Sequence, residues 1–144
     1  MPMQTAPQKL SPEESLRTAN TNFYAAFESL DLAQMEAVWA HDDDVSCVHA
    51  GSELLVGWEE VRDRWSRIFA NAKRVRVALS CVWLRVEGNA GWVVCTERVT
   101  TAFSDGFDDA RVQATNIFVR HEEGWLLVAR HASPLTSSTR TPVQ

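Results

Sequence analysis

Leu16, Ala19, Phe23, Phe27 and Leu30 fall on one side of a helix when successive residues turn by about 100°. Ser11-Pro12-Glu13-Glu14 gives that helix a start: serine can cap, proline suits the first turn, and Glu14 stands where a capping box places an acid. The pattern predicts a helix over about 12–30. Asn20 lies inside the apolar stripe and Tyr24 on its edge, and a buried amide needs a partner such as a neighbouring chain, water or a ligand. Asp31-Leu32-Ala33-Gln34 opens a shorter helix over about 32–40 that buries Leu32, Met35 and Trp39, and His41-Asp42-Asp43-Asp44 breaks it. Val45 to His49 reads as a strand with Val45, Cys47 and His49 on one face, followed by a short extended piece at Leu54-Leu55-Val56. Gly57 precedes a third helix, about 58–72, with Trp58, Val61, Trp65, Ile68 and Phe69 as its stripe.

The second half is strand after strand. Arg74 to Glu87 and Ala90 to Phe103 flank Gly88-Asn89, a two-residue hairpin signal. Asp105-Gly106 is the expected next turn, and Glu122-Glu123-Gly124 the turn before a strand from Trp125 to Ser133. Helices first and a long antiparallel meander second predict an α+β domain, with the helices on one face of a curved, mainly antiparallel mixed sheet.

Those turns assign side chains to faces, because a strand alternates and paired residues share a face. One face is expected to carry Val82, Leu84, Val93, Cys95, Glu97, Val112, Ala114, Asn116, Phe118, Leu127, Ala129 and His131, and is apolar apart from Ser80, Glu97, Asn116 and His131. The other carries Trp83, Trp92, Val94, Thr96, Arg98, Gln113, Thr115, Ile117, Leu126, Val128 and Arg130. Three helices cover one face. The remaining mixture of aromatic, aliphatic and arginine side chains predicts a homodimer interface, through Trp92, Arg98, Ile117 and Arg130.

Composition narrows the function classes. The 144 residues suit one domain, and 45% hydrophobic with 23% charged residues can bury a core without disulfides or a structural metal. A formal charge of −5 argues against a nucleic-acid surface. No apolar run could span a bilayer, and the first residues lack a signal-peptide pattern, so a cytoplasmic protein without membrane contact is expected. Residues 1–10 and 135–144, rich in Thr, Ser, Pro and Gln, are expected to be flexible tails. Cys47, Cys81 and Cys95 show no ligand spacing and read as small buried hydrophobes.

Phe23-Tyr24-Ala25-Ala26-Phe27 followed by Leu30-Asp31 resembles the first-helix signature of the SnoaL-like branch of the NTF2-like superfamily. The match continues through Val48-His49-Ala50-Gly51, Leu55-Val56-Gly57-Trp58, Ala90-Gly91-Trp92-Val93, Ala114 to Arg120, Gly124-Trp125 and His131-Ala132-Ser133-Pro134. It implies a single cone-shaped domain over residues 11–134, with a pocket between helices and sheet, usually in homodimers. The superfamily includes ketosteroid isomerases, polyketide cyclases, limonene epoxide hydrolase, scytalone dehydratase and the association domain of a calmodulin-dependent kinase, so the fold alone does not choose a function. The isomerases' Tyr and paired Asp residues, and the epoxide hydrolase's Arg–Asp pairing, find no match here.

Glu97 is the most informative residue. An acid among Val93, Cys95 and Val99 must be paired or protonated; it is either a general acid or base, or half of a structural pair. His131 and His49 are its candidate catalytic partners, and Asn20, Tyr24 and Asn116 could orient a ligand. Trp39 and Trp65 are either pocket walls or plain core. No His/Asp/Glu spacing suggests a metal, and no phosphate loop or nucleophile elbow is present, so no cofactor is expected. Two functions follow: a cofactor-free isomerase, lyase or cyclase using acid–base catalysis on an apolar organic substrate, or a non-catalytic ligand-binding or oligomerisation module.

Overall fold

A computed structural model describes residues 10–136; the expected tails lie largely outside the described residues. The chain forms α1 (Pro12–Ser29), α2 (Leu32–Val38), β1 (Ser46–Val48), β2 (Leu54–Val56), α3 (Trp58–Asn71), β3 (Arg74–Glu87), β4 (Ala90–Phe103), β5 (Gly106–His121) and β6 (Gly124–Pro134). The capping box at Ser11 and Glu14 is present in both directions, at 3.1 and 3.2 Å. The six strands form one mixed sheet in the order β2-β1-β6-β5-β4-β3, antiparallel except where β1 runs parallel to β6.

The helices cover one face of this sheet. Leu16, Phe23 and Phe27 of α1, Met35 and Trp39 at α2, and Val61, Trp65 and Phe69 of α3 meet Val93, Cys95, Ala114, Phe118 and Leu127 from the strands. Gly91 lets α1 come close: a Cβ there would stand 2.7 Å from a methyl of the fully buried Leu16.

The β3–β4 turn falls at Gly88-Asn89, and Leu84 pairs with Val93 as the alternation requires. The β4–β5 turn is Ser104-Asp105 rather than Asp105-Gly106. That moves the register by two residues and leaves every side chain on its expected face, because the strand period is two.

Two bulges change parity. In β3, Ser80 pairs with Thr96 and Trp83 with Val94, so Cys81 and Val82 together oppose one residue. Cys81 takes a left-handed φ of 52° and is exposed, against the expectation of a buried thiol; Ser80 shares Thr96's outer face, and Val82 is 38% exposed. In β6, Phe118 pairs with Leu127 but Ile117 with Ala129, which leaves Val128 as an extra residue. Beyond it the faces exchange. Arg130 pairs with Asn116 and turns toward the helices, while His131 pairs with Thr115 on the outer face.

Candidate functional site

α1 contributes Asn20 and Tyr24, four residues apart and therefore neighbours on one helix face. β4 contributes Glu97, β5 Asn116, and β6, because of its bulge, Arg130. All five are buried, Glu97 and Asn116 completely. The Arg130 guanidinium grips Glu97 with two bonds, Nη1 to Oε2 at 2.7 Å and Nη2 to Oε1 at 3.1 Å. Nη1 also donates to Asn116 Oδ1 at 3.1 Å, and Tyr24 Oη donates to Glu97 Oε2. Asn116 Nδ2 donates to Asn20 Oδ1 and to Tyr24 Oη, each at 3.0 Å. The guanidinium carbon lies 5.1 Å from the centre of the Phe23 ring.

This arrangement answers the question raised by an acid on an apolar face: Glu97 is half of a buried ion pair. Burial opposes the charge on Arg130, but the charge and hydrogen bonds of Glu97 outweigh it and hold the guanidinium above its ordinary value. Burial likewise pushes the Tyr24 phenol up, with Arg130 working against the shift and Glu97 for it, so Tyr24 stays protonated and donates. Both oxygens of Glu97 accept from protein groups. Among the described residues, the Nε of Arg130 has no hydrogen-bond partner.

Above the pair lies a cavity of about 190 Å³, lined by Phe27, His49, Ala50, Glu97, Val99, Asp108, Ala110, Val112 and Arg130. Larger clefts lie on the flank of α1 and on the outer sheet face, away from the buried network. His49 reaches the cavity from the end of β1, its ring edge-on to Trp65 at 4.7 Å and its Nε2 3.5 Å from Cys47 Sγ. Burial, with the positive charges of Arg130 and Arg64 added, pushes the His49 imidazole down to about 3, so the ring is uncharged near neutrality. Burial pushes the Cys47 thiol up to about 11, which leaves no thiolate there at neutral pH. Among the described residues, no three His, Cys, Asp or Glu side chains cluster as metal ligands do.

The His49 shift has a consequence for stability. Because the unfolded chain takes up a proton near pH 6.5 and the folded chain only near 3, stability present above pH 6.5 falls as the pH drops through that window. The expected loss is on the order of 5 kcal/mol across the full window. Urea unfolding at pH 7 and pH 4.5 should show the fall, and His49→Phe should flatten it; an equally steep fall in the variant would assign it to other groups.

Of the residues expected to form one pocket, Glu97, Asn116, Asn20 and Tyr24 come together in the buried network, yet only Glu97 of these lines the cavity. His49 lines it from the side. His131 does not join them: it is exposed on the opposite face, because the Val128 bulge turned it there. Trp39 and Trp65 are wholly buried in the core and do not line the cavity; Trp65 backs Phe27, with ring centres 5.0 Å apart. Arg130 is the site residue that strict alternation hid. The run Leu126-Leu127-Val128-Ala129, four apolar residues with no alternation, is the signal of the bulge that would have found it.

Residues 16–137 match the SnoaL-like domain family. The chain belongs to that family. A proposed dehydratase of the NTF2-like family from Streptomyces avermitilis is 33% identical, with 88% of this chain and 100% of that one covered and a TM-score of 0.82. A proposed calcium/calmodulin-dependent protein kinase type II association domain from Thiobacillus denitrificans is 34% identical, covering 83% and 94%, with a TM-score of 0.72. Among curated proteins, the F-box protein SKIP8 of Arabidopsis thaliana is 27% identical over 116 residues, which is 81% of this chain. This SnoaL-like chain spans 48% of that relative's length. Its α+β architecture is that of the NTF2-like fold.

Proposed function

We propose that this SnoaL-like domain is a small-molecule pocket protein that binds its ligand without transforming it, and that it works as a homodimer. The observation that carries this reading is the closed floor of the cavity. Glu97 gives Oε2 to both Tyr24 and Arg130 and Oε1 to Arg130, so three of its roughly four acceptor sites are taken and its charge is matched by a guanidinium, which makes it a weak base toward a substrate proton. Glu97 is therefore a positioning residue that holds Arg130, and Tyr24, Asn116 and Asn20 hold Glu97 in turn. Phe27, Val99, Ala110 and Val112 suit the body of a single-ring or short-chain organic molecule. The outer sheet face supports dimerisation: Trp83 and Ile117 are 56% and 37% exposed, and among the described residues nothing covers them. Two cysteines are buried and free, which fits a reducing, cytoplasmic setting.

Mass spectrometry of the purified chain under native conditions tests the pocket. A co-purifying small molecule is expected in the wild type and absent from Ala110→Phe, whose ring would fill the cavity. A bare wild-type chain that also ignores single-ring probes would sink the reading.

A second reading is favoured by His49, an uncharged imidazole facing the same cavity, and by the relative described as a dehydratase. In it, His49 takes a proton from the substrate carbon and passes it to the departing hydroxyl, which leaves as water, so no cofactor is consumed. The low basicity of the buried ring places this second.

A further inference from the structure

We infer that the cavity selects a ligand carrying a protonated amine at its outward end, recognised by Asp108; this rests on the pocket-binding role proposed above. The inference comes from the charges that line the space. Glu97 and Arg130 cancel as a bidentate pair, one wholly buried and the other 4% exposed. His49 carries no charge near neutral pH. What remains is the carboxylate of Asp108. It pairs across the sheet with Thr101, in line with Val75, on the face the helices cover. It is exposed, and among the described residues it has no ion-pair partner, whereas its neighbour Asp109 on the other face is held by Arg98 at 2.8 Å.

The cavity thus runs from a neutralised, dry floor, past apolar walls, to one acid at the edge. Arg64 adds positive charge beside His49 and Cys47, but it is not among the residues that line the space. An ammonium at the outward end would meet Asp108 while an attached ring lies against Phe27, Val99 and Val112. A carboxylate in the same place would face Asp108 with like charge. At Arg130 one donor, Nε, has no partner among the described residues, but the guanidinium's charge is already matched by Glu97 through two bonds, so a carboxylate there would bring a second negative charge to one buried cation. The amine is therefore favoured by attraction at the mouth, and the acid is disfavoured at both ends.

Three probes of nearly equal size separate charge from shape: benzylamine, benzyl alcohol and benzoate. Each would be titrated at pH 7 into the full chain and into Asp108→Asn, with the amide signals of Val99 and Ala110 followed by NMR. Asp108 is on the exposed end of a hairpin, so the variant should fold, and an unchanged spectrum away from the cavity would show it. Benzylamine is expected to bind roughly five-fold more tightly than benzyl alcohol, with benzoate weakest, as suits one exposed ion pair. In Asp108→Asn the amine and the alcohol should bind alike. Benzoate as the tightest ligand, or an amine preference that survives in Asp108→Asn, would overturn the inference and leave the pocket reading standing. If none of the three moves a cavity signal, the pocket reading itself falls, and the inference with it.

Discussion

Replacing Arg130 by methionine is expected to cost 3–5 kcal/mol of folding stability, about the range seen when one partner of a buried ion pair is removed. The side chain is 4% exposed and makes three hydrogen bonds, two of them to a carboxylate with no access to water. Without it, Glu97 must either keep an uncompensated charge in the core or take up a proton. Asn116 also loses the donor to its carbonyl oxygen. For a domain of this size the melting temperature should fall by roughly 10–15 °C. The double variant Glu97→Gln/Arg130→Met should be more stable than Arg130→Met alone, because no charge is then left buried and the glutamine oxygen can still accept from Tyr24. A melting temperature within about 3 °C of wild type for Arg130→Met would show that the pair is solvated, and the closed floor of the cavity would go with it.

Thr96→Glu is expected to turn the proposed dimer into a monomer. Thr96 lies in the row Ser80–Thr96–Gln113–Ser133 on the outer face, one row from Trp83–Val94–Thr115–His131. If two copies meet through this face about a two-fold axis, each would bring a new carboxylate into the same dry centre. Burying an unpaired charge typically costs several kcal/mol, which corresponds to roughly a hundred-fold or more in the dissociation constant. Sedimentation velocity at micromolar concentration should give twice the 16.2 kDa chain mass for the wild type and the single mass for the variant, with unchanged circular dichroism. A monomeric wild type, or a dimer indifferent to Thr96→Glu, would remove this face as the interface. The interface anticipated from sequence included Arg130; in the structure His131 takes that side instead.

Much of the fold was written locally. The Ser11 cap, the stripes of the three helices and the Gly88-Asn89 hairpin each depend on residues a few positions apart, and the elements follow them closely. The pairing of β4 with β5 was equally legible. Expecting the turn at Asp105-Gly106 instead of Ser104-Asp105 shifted the register by two, and a period-two pattern is blind to such a shift, so Glu97 and Asn116 were on the right face. An amide at Asn20 and an acid at Glu97, both on apolar faces, announced that a polar network had to exist in the core.

The composition of that network was decided by tertiary structure. A single extra residue, Val128, reverses the inside and outside of everything after it in β6. Bulges form where strand pairing and twist across several strands are satisfied together, and no short stretch of sequence holds that information. The acid's partner became Arg130 instead of His131, which changes the chemistry from an acid–imidazole couple to a bidentate ion pair. Trp39 and Trp65, indistinguishable from pocket walls by their spacing, were drawn into the core because helix and sheet close over them. The sequence by itself determined which elements form and that an acid, paired or protonated, must be buried among them. Only the assembled sheet, through one bulge, decided that the acid is ionised against Arg130 and that this pair forms the floor of the cavity.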